Sequence, residues 1–298
     1  MTKPAMLGSA PDSWGVWYAD DPVQTPWRRF LDEVAQAGYM RIELGPYGYL
    51  PTDPSQLREE LDNRGLTVTA GTIFEHLHRK DSWDTTWSAV SAVAELTAAM
   101  GAEHLVVIPD FWRDPATGAI IEDAQLTDQE WPVYATQINR LARTIHEEFG
   151  LKFQFHPHAD SHVDTHPNVE RFLAETDPEL VTLCLDTGHI AYCGGDSLKI
   201  IQDFPERIGY VHLKQIDPAV VEKVHAAGIG FGEAVKLGAM CEPPLGEPAM
   251  PPILEALAKL DAEIFAIVEQ DMYPCPPDQP LPIAERTLTY LQSCGPLR

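Results

Sequence analysis

Five short apolar runs in this 298-residue chain stop abruptly at an ionisable residue: Ile42-Glu-Leu-Gly45, Phe155-His-Pro-His158, Leu185-Asp-Thr-Gly-His189, Tyr210-Val-His-Leu-Lys214 and Ile267-Val-Glu-Gln-Asp271. Apolar runs of this length read as strands buried on both faces. Ionisable groups at the ends of several such strands suit one shared active site at one end of a barrel. His156, Asp186, His212 and Glu269 fall on four consecutive strands, the fifth to the eighth. Two imidazoles and two carboxylates suit a divalent ion such as manganese, cobalt, iron or zinc, with manganese favoured. A single histidine at a strand end is more often a hydrogen-bonded structural residue. Four such groups together are a different matter, because buried charges need partners. The set contains no thiolate, which argues against a structural zinc site.

The elements that would carry these residues alternate strand and helix eight times along the chain. Thr25 is read as the N-cap of a first helix over 26–37, with Gly38 as its C-cap. Helices over 53–63, 84–100 and 128–149 end at Gly65, Gly101 and Gly150, and Thr127 is read as the cap of the third. The repeat predicts a parallel sheet. Eight units within 298 residues predict a single (β/α)8 barrel spanning 1–298, and no GxGxxG follows the first strand to suggest a dinucleotide fold. Residues 215–252 break the rhythm. They are rich in Gly and Pro, show no clear strand, and are read as a long loop serving as lid or interface.

Composition limits the partners. The formal charge is −24 and no basic cluster stands out, which disfavours nucleic acid and anionic membranes. No apolar run approaches the ~20 residues of a membrane span. The N-terminal residues turn polar too soon for a signal peptide. Five scattered cysteines (184, 193, 241, 275 and 294) form neither a disulfide framework nor a CxxC site, so a cytoplasmic location is expected. The sequence leaves homo-oligomerisation open. No Gly-rich anion nest or Arg pair marks a phosphate site.

Ile42-Glu-Leu-Gly45, Leu185-Asp-Thr-Gly-His189, Val211-His-Leu-Lys214 and Glu269 together resemble the xylose-isomerase-like superfamily of metal-dependent TIM barrels, the sugar isomerases and epimerases. The resemblance covers nearly the whole chain. It implies that Asp186, His212 and Glu269 bind the metal, with the fourth ligand at the end of the fifth strand. Most relatives carry Glu there; this chain has His156-Pro-His158. That departure, with Ala10-Pro-Asp-Ser-Trp-Gly15 and Glu43-Leu-Gly45, resembles the inosose (2-keto-myo-inositol) dehydratase branch.

The resemblance therefore implies a lyase acting on a cyclic polyol or sugar. The alternative is an isomerase or epimerase sharing the metal and the enediolate. In such a site Lys214 would steady developing negative charge, or act as acid if its pKa were depressed. His158 and His189 are the candidates for proton transfer, with base and acid unassigned. Glu43 and Glu75 would bind hydroxyls or join the relay. Trp14, Trp17 and Trp112 would stack on the sugar ring. Metal-dependent hydrolysis, as in endonuclease IV relatives, is disfavoured by the charge. A non-catalytic sugar-binding or scaffold subunit is the remaining class.

Overall fold

The computed structural model describes residues 3–79, 82–295 and 297, so Met1 and Thr2 of the N-terminal stretch lie outside the described residues. Eight parallel strands close on one another: β1 (Met6–Ser9), β2 (Arg41–Glu43), β3 (Thr67–Glu75), β4 (His104–Pro109), β5 (Lys152–Phe155), β6 (Val181–Asp186), β7 (Ile208–Leu213) and β10 (Phe265–Val268). β10 pairs with β1 in register Gly8 to Ile267, which closes the barrel. The expected (β/α)8 architecture is the one observed.

The helices pack outside and account for most of the apolar sequence. α1 (Trp27–Ala37), α2 (Pro54–Asp62), α3 (Trp83–Ala99), α4 (Trp131–Phe149) and α5 (His166–Glu175) each follow a barrel strand. α6 (Thr187–Tyr192) and α7 (Ser197–Asp203) both follow β6. α10 (Met250–Leu257) and α11 (Pro280–Cys294) complete the ring. α4 begins at Trp131, not 128, with Glu130 at its N-cap position and no side-chain cap bond; Thr127 and Glu130 instead form a reciprocal box in the turn before it. Thr127 N donates to Glu130 Oε2 at 2.7 Å, and Glu130 N donates to Thr127 Oγ1 at 3.3 Å. Thr25 does not cap α1: Pro26 occupies that position and no side chain bonds the first turn.

The main core lies between strands and helices. Within it Phe155 of β5 stacks on Phe172 of α5 with ring centroids 3.9 Å apart, and Tyr134 of α4 packs at the edge of Phe155. Phe172→Ala is expected to lower unfolding stability by about 3–5 kcal/mol, read by denaturant melts. A smaller set, including Val106, Ile108, Cys184, Tyr210 and Ile267, forms a separate cluster on the opposite strand faces, inside the barrel.

Residues 215–252 are folded, which corrects the expectation of a strandless loop. β8 (Gln215–Ile216) pairs antiparallel with β9 (Met240–Cys241), and α8 (Pro218–Ala226) and α9 (Phe231–Lys236) lie between them. Ile216, Val224, Phe231, Val235 and Met240 give this unit its own small core. Two-residue strands and short helices carry too little periodicity to be seen in sequence. The unit docks against the rest of the strand ends. Phe231 N donates to Asp160 Oδ2 at 2.8 Å, Arg113 Nη1 donates to Gly228 O at 3.0 Å, and Gly232 abuts the Pro115 carbonyl too closely to admit a side chain.

Candidate metal centre and active site

Successive residues of a strand point to opposite faces, so every second residue enters the barrel. On β7 and just past it these are Tyr210, His212 and Lys214; around β6, Cys184 and Asp186; around β5, Gln154, His156 and His158; around β10, Ile267, Glu269 and Asp271. β6 and β7 pair Asp186 directly with His212. The register therefore brings the polar residues of four separate runs to one floor. Above it is a cavity of about 330 Å³ lined by His156, His158, His189, Lys214, Glu269 and Asp271. Its walls include Trp17, Phe74, Phe111, Arg113 and Phe231.

His156, Asp186, His212 and Glu269 are all buried, and their ligand atoms lie within 4.8 Å of one another. His156 Nε2 is 3.2 Å from His212 Nδ1 and 3.4 Å from Asp186 Oδ2. His212 Nδ1 is 3.5 Å from Asp186 Oδ2 and 2.9 Å from Glu269 Oε2. Atoms bound at about 2.0–2.1 Å around a tetrahedral centre lie about 3.3 Å apart, so these spacings suit a common ion.

Asp186 and His212 are oriented by their other atoms, whereas His156 Nδ1 is buried without a hydrogen-bond partner. Asp186 Oδ1 accepts from the backbone N–H groups of Gly188 and His189, both at 2.8 Å, and so caps α6. Its Oδ2 is left facing the cluster, buried and without a hydrogen bond of acceptable geometry. His212 Nε2 is 2.8 Å from Glu43 Oε1, and Thr72 Oγ1 donates to Glu43 Oε2 at 2.9 Å. A proton on His212 Nε2 directs the Nδ1 lone pair at the cluster, the carboxylate–histidine arrangement of metal sites. Glu43→Gln is accordingly expected to weaken divalent metal binding about 10–100-fold, measured by competition with a chelating dye.

The charge balance also calls for a cation. Lys214 Nζ lies 3.0 Å from Asp186 Oδ2, 3.1 Å from Glu269 Oε2 and 2.9 Å from Asp271 Oδ2. Asp12 also faces Glu269 and Asp271. Burial, then those two charges, push its carboxyl well above the usual range. One ammonium among the carboxylates of Asp186, Glu269 and Asp271 leaves an excess of negative charge that a divalent ion would offset. The donor set thus fits a divalent cation, which His156, Asp186, His212 and Glu269 would hold.

Lys214 itself is buried. Burial opposes its charge, but Asp186, Asp271 and Glu269 outweigh this and raise its pKa. It is therefore an ammonium, which corrects the idea that a depressed pKa would make it an acid. The Thr-Gly of Leu185-Asp-Thr-Gly-His189 makes room for it. Thr187 Oγ1 donates to Lys214 O at 2.7 Å, and a Cβ on Gly188 would sit 2.5 Å from Lys214 Cγ.

His158 and His189 pack with ring centroids 3.7 Å apart and planes tilted by 36°, and both contact Phe231. Burial first, and neighbouring imidazoles next, push both pKa values well down, so both rings are neutral. Ala159 orients them in opposite senses. His158 Nδ1–H donates to Ala159 O at 2.7 Å, leaving His158 Nε2 unprotonated. Ala159 N–H donates to His189 Nδ1 at 3.3 Å. His189 Nε2 faces Lys214 Nζ at 3.2 Å. A neutral ring cannot accept at both nitrogens. The backbone N–H is fixed, whereas the ammonium can turn its hydrogens to three carboxylates, so His189 carries its proton on Nε2.

Four sequence expectations change. Trp14 is fully buried in the main core, where its Nε1 donates to Glu33 Oε2 at 2.9 Å and its ring meets the edge of Phe30; it does not reach the cavity. Glu75 occupies an outward position on β3 and turns toward Thr86 of α3, while Phe74 faces the cavity. Trp112 lies behind the wall under the Arg113 guanidinium, 4.7 Å from its ring centre; Phe111 and Arg113 take the wall positions. Glu43 sits beneath the floor and acts on His212, not on substrate. Trp17 does line the cavity, stacked on Tyr273 with centroids 5.0 Å apart. Asp12 and Asp271 were missed. The signal for Asp271 was present, since it stands two residues after Glu269 and so shares its face.

A model of the xylose isomerase-like TIM barrel family matches residues 31–294. An inosose dehydratase of Geobacillus kaustophilus is 31% identical over 287 residues, covering 91% of this chain and 89% of the relative. The Rhizobium meliloti rhizopine catabolism protein MocC is 31% identical, covering 87% and 80%. Among solved structures, the zinc-bound IolI protein superposes with a TM-score of 0.71 at 16% identity, covering 97% of this chain and 99% of that one. Among the described residues, no helix is long and apolar enough to cross a membrane.

Proposed function

The chain belongs to the xylose isomerase-like TIM barrel family, and we propose that within it this protein is a divalent-metal-dependent dehydratase of a cyclic keto-polyol, 2-keto-myo-inositol being the first candidate. The relative at 31% identity over 91% of the chain bears that activity in its name. The observation that carries the reading is the pair of neutral imidazoles fixed in opposite tautomers beside a four-ligand cluster. An isomerisation can return one proton through one base. An elimination needs a base for the C–H bond and a separate donor group at the departing hydroxyl.

A divalent ion at the cluster would polarise the substrate carbonyl and acidify the adjacent carbon. His158 Nε2 takes the proton from that carbon. Lys214 steadies the negative charge that develops on oxygen. His189 Nε2–H hydrogen-bonds the departing β-hydroxyl, and the proton that His158 took from carbon completes the water, so both imidazoles end neutral. The product is an enol that tautomerises to the dione. Trp17, Phe74 and Phe111 offer apolar faces to the ring, and Phe231 with Gly232 covers one side of the cavity, so the folded 215–252 unit serves as its lid.

The test is incubation of the manganese- or cobalt-loaded protein with 2-keto-myo-inositol. Growth of a conjugated dione absorbance, lost on adding chelator, is the expected result. An isomerised or epimerised sugar with no absorbance change would assign the protein to the isomerases instead.

A further inference from the structure

A second group of metal-ligating side chains lies outside the cavity. His78 follows β3, Glu122 lies in the acidic loop after β4, and His162 follows β5. Their ligand atoms lie within 4.8 Å of one another. His78 Nε2 is 3.1 Å from Glu122 Oε2, His162 Nε2 is 3.5 Å from Glu122 Oε1, and the two rings are 4.5 Å apart. These separations again match the ~3.3 Å expected between two ligands of one tetrahedral ion.

The decisive atom is His162 Nε2. Its ring is buried, with its side chain only 3% exposed. His162 Nδ1–H donates to Ala124 O at 3.2 Å, so in the neutral ring Nε2 presents a lone pair. That lone pair faces the carboxylate oxygen Glu122 Oε1, and both atoms are buried without a hydrogen-bond partner. Two acceptors facing each other in a buried place need a cation or a proton between them. Arg79 Nη2 reaches only the other oxygen, Glu122 Oε2, at 3.3 Å, and is half exposed.

We infer that His78, Glu122 and His162 form a second metal site, a His2Glu set for a zinc-like divalent ion with water completing the coordination. The site ties together the three loops that follow β3, β4 and β5. Its His162 lies three residues after Ala159, which orients His158 and His189. The acidic loop carries the wall residues Phe111 and Arg113. An ion here stiffens the loops that hold the catalytic imidazoles and one wall of the cavity. The inference does not rest on the proposed dehydratase activity.

Cobalt(II) titration of chelator-stripped protein tests it, read by visible d–d bands and by bound metal per chain. Wild-type protein is expected to take two equivalents. Glu269→Gln is expected to retain one, with bands that vanish when His78→Gln or Glu122→Gln is added. Each of these two variants alone should keep the equivalent at the barrel floor. Both positions are partly exposed, so two independent substitutions guard against a single folding failure. In the Glu269→Gln protein, zinc should also slow hydrogen exchange in residues 110–126. One equivalent in wild-type protein, or two that survive both His78→Gln and Glu122→Gln, would overturn the inference.

Discussion

Glu269→Gln is expected to remove the floor metal and to reduce turnover about a thousandfold or more. A metal acting as Lewis acid contributes several kcal/mol to the transition state, and each 1.36 kcal/mol is a factor of ten in rate. The substitution keeps the side-chain volume and removes one anionic ligand. Burial would raise the Glu269 pKa, but His212 and Lys214 outweigh it and hold the carboxyl well below its ordinary range, so it is available as an anionic ligand at neutral pH. The amide cannot replace that charge. Metal analysis and dione absorbance should fall together, and chelation of the wild-type protein should reproduce the loss. Asp186→Asn should do the same, with an added cost from weakening the cap of α6. Full turnover in Glu269→Gln protein without bound metal would refute the assignment of this cluster.

His158→Gln carries the second-largest effect, a fall in kcat of about 10²–10⁴-fold with metal content unchanged. If His158 Nε2 is the base, the variant should also stop exchange of the substrate's α-hydrogen with deuterated solvent. His189→Gln should lose dione formation yet keep that exchange, because its proton is needed only for the leaving hydroxyl. The pH profile follows from the direction of the shift. Burial lowers the His158 pKa below its ordinary value, so the base is free at neutral pH. Activity should fall as acid protonates it, and this acid limb should be absent from the residual activity of His158→Gln. Equal exchange in wild type and His158→Gln would give the base role to another group.

Much of this site was legible because buried parallel strands write themselves as apolar runs, and their ends as abrupt ionisable residues. His156, Asp186, His212 and Glu269 could be picked out because each is the first such residue in its run. The same logic reached Lys214, His158 and His189. It failed where a residue's direction, not its type, mattered. Glu43 and Glu75 look alike at two strand ends, yet one lies under His212 and the other turns outward to α3. Trp14 and Trp17 are three residues apart, and only Trp17 reaches the cavity. The 215–252 unit was unreadable because its stability comes from a small core assembled across short elements.

The chain's own pattern thus determined an eight-unit barrel and a set of candidate metal-ligating and proton-transferring residues at one end of it. Periodicity and residue chemistry are local, and both survive in the sequence. Tertiary structure decided which of those residues meet, because that depends on strand register and on which face each side chain takes. It placed Glu43 behind His212, added Asp12 and Asp271 to the site, and set the backbone of one residue, Ala159, between two imidazoles. The order of proton donors and acceptors follows from the two opposed backbone hydrogen bonds of that residue, which are not encoded at any single position.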